Sequence, residues 1–289
     1  MLTLCALFWA GNTVAGRLAI GQITPFTLVL MRWVLVICVL WPLYGAQVRA
    51  HWAEIWPKRW RVLTMATLGF TGFNALFYVG AQYTTAINIG ILQGSIPVFV
   101  LMGAFAAHGT RPTLLQLVGV AITALGVVVV ATHGQPMALL ELALNKGDIA
   151  MLLACILYAF FTVALRDRPQ MPGAAFFTLL AVIAAITSLP LVAFEALTTG
   201  LMMPTLQGWL VTLWVAIFPS CLSQLLYLRG VDLIGPSRAG VFVNLVPVFA
   251  AVLAVVLINE PFATYHAVAL GLVIGGIWVA QGRWNRQAS

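Results

Sequence analysis

Polar side chains recur at helical spacing inside an otherwise apolar chain. Thr71, Asn74, Tyr78 and Gln82 stand at i, i+3, i+7 and i+11, which is one face of a helix. Ser220, Ser223 and Tyr227, with Gln224 beside them, repeat the pattern later in the chain. Trp9, Asn12 and Thr13 are matched by Tyr158 and Thr162. These groups can hydrogen-bond and stack, but they hold no His, Asp or Glu. A nucleophile paired with a base, or two carboxylates within reach, is what an intramembrane enzyme would need. The chemistry on offer is therefore reversible recognition of a neutral or zwitterionic organic solute, and an enzyme is not expected. The candidate lining set is Trp9, Asn12, Asn74, Tyr78, Tyr158, Ser223, Gln224, Tyr227 and Asn244. The competing readings are an interfacial aromatic belt and hydrogen-bonding glue between helices. The depth of Trp9, Tyr158 and Tyr78, and the duplication of the stripe, favour a shared cavity.

A second duplicated feature could move. Gly90, Gly94 and Pro97 share one helix face, as do Gly240, Asn244 and Pro247. Proline removes a backbone hydrogen bond and clashes with the carbonyl four residues back, so each helix should kink near its middle. The freed carbonyls are those of Gln93 and Val243. A kink can be static packing, but a kink repeated in both halves reads as a pair of gates, with Gly90, Gly94, Pro97, Gly240 and Pro247 as hinges.

Charges are few. Arg32 is the one basic residue well inside an apolar run; it could bind a solute carboxylate or lock helix ends, and without a neighbouring acid the structural role is favoured. Asp148, Glu195 and Glu260 fall at segment ends, and no carboxylate is expected at mid-span, where proton relays commonly place one. His51, His108 and His133 fall near loops and His266 near a segment start. Cys5, Cys38, Cys155 and Cys221 lack metal-ligand spacing and read as buried, inert thiols. No metal or cofactor is expected.

The elements that carry these residues follow from composition. Of 289 residues 62% are hydrophobic and 7% charged, against roughly 25% charged in a soluble domain. Between Arg61 and Arg111 lie 49 residues without a charge, and a crossing needs about 20 apolar residues. The chain is an all-α integral membrane protein with the lipid bilayer as its surroundings. Breaks in the apolar runs give ten segments: 2–19, 24–45, 60–81, 85–107, 112–132, 148–166, 173–195, 205–228, 236–258 and 262–281. The net charge of +7 would suggest nucleic acid in a soluble chain, but here the basic residues sit at segment ends, and no nucleic-acid partner is expected. With alternating crossings, Arg49, Lys58, Arg59, Arg61, Arg111, Arg166, Arg168, Arg229, Arg238, Arg283 and Arg286 share the side of the termini. Only Arg17 and Lys146 lie opposite, so both termini are expected in the cytoplasm. Met1 to Gly16 has no basic stretch ahead of its apolar run; a cleavable signal is not expected, whereas a short leader ahead of Met1 is.

Displacing the sequence by 149 or 150 positions brings its halves into register. Pro97-Val98-Phe99 meets Pro247-Val248-Phe249, Gly90 meets Gly240, Gly126 meets Gly276, and Tyr78 meets Tyr227. Five spans is an odd number, so the second copy must be upside-down relative to the first. The expected architecture is ten transmembrane helices in two inverted five-helix repeats, 1–146 and 147–289, with a solute site near the midplane where they meet.

The pattern resembles the drug/metabolite transporter superfamily, and within it the EamA-type ten-helix branch. The likeness rests on Trp9-Ala10-Gly11-Asn12-Thr13-Val14-Ala15 followed by Arg17, on Arg32 in the second span, and on the Pro97 and Pro247 segments. Asn259-Glu260-Pro261, Gly147-Asp148 and the final helix ending in Gly275-Gly276 also fit. Thr110 before Arg111 departs from the acidic residue common at that place. Among these carriers the chain is most similar to bacterial exporters of aromatic and other neutral amino acids. That resemblance implies a monomer in the bacterial inner membrane, exporting such amino acids by alternating access through a central neutral cavity. A drug or metabolite efflux carrier of the same superfamily is the alternative.

Overall fold

A computed structural model describes residues 1–109, 111–135, 145–234 and 236–281, with side chains from 239 onward in the last stretch. Thr110, Arg283, Arg286 and the C-terminal Ser289 lie outside the described residues, and so does the side chain of Arg238. Among the described residues every regular element is a helix. Nine are long and apolar enough to cross a membrane: α2 (Pro25–Ala50), α3 (Trp52–Ala81), α4 (Ala86–His108), α5 (Leu114–Ala131), α6 (Lys146–Asp167), α7 (Gly173–Thr198), α8 (Leu206–Ile234), α9 (Ala239–Ile258) and α10 (Thr264–Gln281). Ahead of them α1 (Leu2–Leu18) has 17 residues, about 26 Å at 1.5 Å per residue. The outer faces carry exposed Leu43, Leu114, Leu197, Leu206 and Trp278. Side chains of this kind facing outward all round suit hydrocarbon and not water. Cys38 is among the outward-facing residues, so the expectation of four buried thiols holds for Cys5, Cys155 and Cys221 only.

Local chemistry sets the helix ends. Thr85, Thr113 and Thr205 accept from the backbone N–H three residues on, closing the first turns of α4, α5 and α8. Gly109 and Asn259 end α4 and α9 with positive φ, +64° and +52°, the left-handed stop that glycine and asparagine adopt most readily. Both helices are also broken in the middle. α4 runs Ala86–Gln93 and resumes at Ile96–His108, and α9, whose helical backbone begins three residues before its apolar span, runs Pro236–Val243 and resumes at Val246–Ile258. Neither Pro97 nor Pro247 has an N–H to continue the ladder, and each break is one tight turn with i→i+3 bonds (Ser95 N to Leu92 O 2.9 Å; Leu245 N to Phe242 O 3.1 Å).

The helices pair in a recurring way. α5 lies along α10 and α2 along α7, while α1 packs on α9 and α8 as α6 packs on α4 and α3. Glycine permits the closest of these approaches. A Cβ on Gly119 would stand 2.4 Å from the Gly276 carbonyl oxygen, and one on Gly276 would meet the Gly119 oxygen at 2.6 Å. α5 and α10 therefore touch backbone to backbone. By contrast Gly271 and Gly275 have nothing within 4 Å among the described residues.

Candidate functional site

The site is built around two wide turns. α3 and α8 each open into a π-helical turn, at Thr67–Gly72 and Ala216–Leu222, an irregularity that shifts side chains around the helix and leaves carbonyls to be satisfied. In α8 the cause is visible. Pro219 cannot donate to the Val215 carbonyl, and the Ser220 hydroxyl donates to that oxygen instead, at 2.7 Å. One turn on, the Ser223 hydroxyl donates to the Phe218 carbonyl at 2.9 Å. In α3 the Asn74 side-chain amide donates to the Phe70 carbonyl at 2.6 Å. A sequence face read at 3.6 residues per turn fails across such a turn: Thr71 swings onto α7, bonding the Ala184 carbonyl at 3.1 Å and the Thr187 hydroxyl.

Arg32 of α2 reaches into the space between the two wide turns and is 6% exposed. Its Nε–H donates to the Ser220 hydroxyl at 2.7 Å. Nη1 donates to Asn74 Oδ1 and, at 2.9 Å, to the Tyr78 hydroxyl, which in turn donates to Asn12 Oδ1 at 3.0 Å. The guanidinium carbon stands 5.1 Å from the centroid of the Trp33 ring, a cation–π arrangement. Nη2 makes no hydrogen bond among the described residues, and no carboxylate there pairs with Arg32. Isolating a cation from water is costly, and three neutral oxygens offset only part of that. The arrangement holds a fixed positive charge with one edge unused.

Arg32 borders a cavity of about 180 Å³, lined also by Trp33, Phe70, Phe73 and Phe161 together with a set of neutral amides and aromatics. Of the residues singled out in the sequence, Trp9, Asn12, Asn74, Tyr158, Gln224 and Asn244 line it, as do Gly94, Pro97 and Pro247. Gln93, Ser220 and Pro219 join them. Tyr78, Ser223 and Tyr227 do not form its surface. Tyr78 lies one layer out, between Arg32 and Asn12. Ser223 is spent on backbone carbonyls of α8 and, at 3.4 Å, on that of Cys5. Tyr227 packs against Trp9 with ring centroids 5.4 Å apart, and the Trp9 indole N–H donates to the Pro219 carbonyl at 3.1 Å. Tyr227 thus backs a lining residue. Gly90 and Gly240 also stand outside the cavity. A Cβ on Gly90 would come within 2.3 Å of Ala250 Cβ, so this glycine serves close packing of α4 on α9, whereas Gly240 has nothing within 4 Å among the described residues.

Sequence reasoning favoured a structural role for Arg32, which its bonds to Ser220, Asn74 and Tyr78 fit, and left it out of the lining set; its place on the cavity wall is what that reasoning missed. The signal was present: a lone intramembrane cation whose position displaced by 149 or 150 is Ala181 or Val182, so it has no partner in the second half to explain it as a repeated packing device.

At the end of the bundle away from the N-terminus, two buried carboxylates tie helix ends together. Glu195 of α7 accepts from the Phe26 and Thr27 backbone N–H groups, both at 3.1 Å, and from the Thr24 and Thr27 hydroxyls at 2.6 and 3.1 Å. It therefore closes the first turn of α2. Glu260, after α9, accepts from Ala86 N and Ile87 N at 2.9 and 3.1 Å and closes α4 in the same way. Arg17 lies 3.5 Å from Glu260 and donates to the Ala81 carbonyl at 2.9 Å. Among the described residues the other side is tied chiefly by Lys58 on the Asp167 and Arg168 carbonyls and by Arg61 on Asp167.

Similarity to known proteins agrees with this geometry. A solved structure titled only as the crystal structure of a protein superposes with a TM-score of 0.64 over 96% of this chain and 94% of the other, at 20% identity, and so shares the fold. The uncharacterized transporter YetK of Bacillus subtilis is 28% identical over 75% of this chain and 67% of its own length. The uncharacterized transporter YyaM of the same organism is 26% identical over 76% and 72%. An uncharacterized transporter of Archaeoglobus fulgidus is 24% identical over 99% and 98%. The EamA-like transporter family matches residues 1–132 and 145–281. A multi-pass bundle around a cavity of aromatic side chains and neutral amides, matched over nearly its whole length in this way, belongs to the EamA-like transporter family.

Proposed function

We propose that this transporter is a secondary carrier that exports small organic solutes, chiefly aromatic and other neutral amino acids, from the bacterial cytoplasm across the inner membrane. The observation that carries the reading is the unused edge of Arg32 in a cavity walled by Trp9, Trp33, Phe73, Tyr158 and neutral amides. A solute carboxylate would complete the guanidinium. An apolar or aromatic body would lie against the rings, and an ammonium group would find amide oxygens and aromatic faces.

The halves 1–146 and 147–289 act in this reading as inverted five-helix units of a ten-span monomer with both termini in the cytoplasm. Support comes from the paired breaks in α4 and α9, the paired wide turns in α3 and α8, and the matched helix pairings. Alternating access would proceed by flexing at Gly94–Pro97 and Asn244–Pro247. Counterflow in proteoliposomes with labelled tryptophan, phenylalanine, threonine and methionine tests the substrate class. Saturable exchange of tryptophan and phenylalanine is expected. Exchange of amines that lack a carboxylate, with no competition by any of the four amino acids, would overturn it in favour of drug or metabolite efflux.

A further inference from the structure

A second polar network lies at the carboxylate-tied end, apart from the cavity. It joins α10, α4, the α3–α4 turn and α6. Ala263 N donates to His266 Nδ1 at 2.9 Å, which leaves the proton of a neutral His266 on Nε2. Nε2 faces Asn88 Oδ1 at 3.2 Å. The Asn88 side-chain amide donates to the Thr84 hydroxyl oxygen at 3.2 Å, and that oxygen is hydrogen-bonded to Asp148 Oδ1. Asp148, Asn88, Thr84 and His266 are all at least 96% buried.

Asp148 differs from the other two buried acids at this end. Glu195 has four donors and Glu260 has two backbone N–H groups and Arg17. Asp148 Oδ2 is sealed from solvent and has no hydrogen-bond partner among the described residues. It does not cap its own helix either, because Asn145 Oδ1 already accepts from the Gly147 N–H. An ionised carboxylate with one bare, dry oxygen is strongly disfavoured, whereas a neutral acid is not. Protonated at Oδ1, Asp148 would donate to Thr84, whose oxygen has two lone pairs and can also accept from Asn88. A carbonyl-type oxygen and the Thr84 hydroxyl proton would then be bare, both of them uncharged.

We infer that Asp148 is a proton-binding site, and that its bound proton latches this end of the carrier. With the end closed, the neutral acid ties α6 to the α3–α4 turn. Opening admits water to Oδ2, so the proton leaves to solvent and the ionised form holds the end open. The other titratable or charged groups around the network are His133 beyond α5, Tyr265 and His266 on α10, Glu260 with Arg17 upon it, and the exposed Lys146 on α6 itself. None forms an ion pair with Asp148 among the described residues. The inference rests on alternating access at this end and on no particular solute.

Two measurements on the purified full-length chain test it. Infrared spectra of the wild type at neutral pH should show a protonated-carboxyl band that is lost in Asp148→Asn and shifted in Asp148→Glu. For opening, a cysteine is placed at Ala19, 6% exposed, and a reference cysteine at Met203, 85% exposed. The chain without either gives the background, and the ratio of maleimide labelling rates removes the reactivity of the thiol itself. The ratio should rise severalfold from acid to alkaline pH in the wild type and stay flat and low in Asp148→Asn. Absence of the band in the wild type overturns the site even if the Asn variant fails to fold. A band at Asp148 with a flat wild-type ratio, or a ratio that still rises in Asp148→Asn, overturns the latch and leaves the amino-acid reading to counterflow.

Discussion

Replacing Arg32 by Gln removes the cavity's fixed charge while keeping a polar side chain. A hydrogen bond to a charged group is worth about 1.5–3 kcal/mol. At about 1.4 kcal/mol per factor of ten, a carboxylate-bearing ligand should bind about 10- to 140-fold more weakly. The fold should survive, because the partners of Arg32 are themselves anchored. Ser220 still donates to Val215 O and Tyr78 to Asn12. Asn74 Oδ1 loses its donor, at a cost of about 1–3 kcal/mol, and relief of a buried cation works against that cost. The assay is binding of tryptophan and of its decarboxylated amine to detergent-purified wild type and variant, with thermal unfolding as the control. Arg32→Gln should weaken tryptophan and leave the amine unchanged or improved. Equal losses for both ligands, or unchanged tryptophan binding in a folded variant, would refute carboxylate recognition by Arg32.

Other perturbations have distinct signatures. Tyr78→Phe takes away the hydroxyl between Arg32 and Asn12 without emptying a buried volume; tryptophan binding should fall by about tenfold, in keeping with about 1.4 kcal/mol for one lost network bond, and the melting temperature should change little. Pro219→Ala restores an N–H that competes with the Ser220 hydroxyl for the Val215 carbonyl, so counterflow should slow while thermal stability is kept or raised. Glu195→Ala leaves two backbone N–H groups and the Thr27 hydroxyl without their acceptor, Thr24 still reaching Thr27 Oγ1, and should lower unfolding stability by about 3 kcal/mol or more. Gly90→Ala forces α4 off α9 and should destabilise by about 1–3 kcal/mol, whereas Gly240→Ala meets no neighbour among the described residues and should stabilise by up to about 1 kcal/mol; thermal melts of the pair separate a packing glycine from one without close contacts.

Much of this molecule is legible without coordinates, because hydrocarbon imposes a simple rule on the chain. Long uncharged runs mark the helices, and an Asn or Gln inside them needs a polar neighbour, so Asn12, Asn74, Gln224 and Asn244 point to the cavity by type alone. The breaks at Pro97 and Pro247 follow from the missing N–H. What escaped depends on side chains satisfying irregular backbone. Pro219 widens α8 and turns Ser220 toward Arg32, while the matching turn in α3 carries Thr71 away to α7. No fixed helical period anticipates either shift. Tyr227 and Tyr78 are polar and deep, yet one braces Trp9 and the other braces Arg32, a distinction between lining and support that spacing does not encode. Arg32 reads as a lock because no acid sits near it in sequence; in space the same absence, among the described residues, leaves Nη2 without a hydrogen bond.

The want of a counterpart to Arg32 in the second half has an electrical consequence. If the pocket rocks between the two faces of the membrane, this cation shifts against the transmembrane field, where a unit charge crossing the full potential exchanges about 2.3 kcal/mol per 100 mV. A zwitterion leaves the moving charge as it was in the vacant carrier, but a monoanion cancels it. Voltage should therefore steer both the vacant and the zwitterion-laden reorientations and be nearly silent for a simple organic acid, so that a current record identifies the ionic form of the passenger before its structure is known.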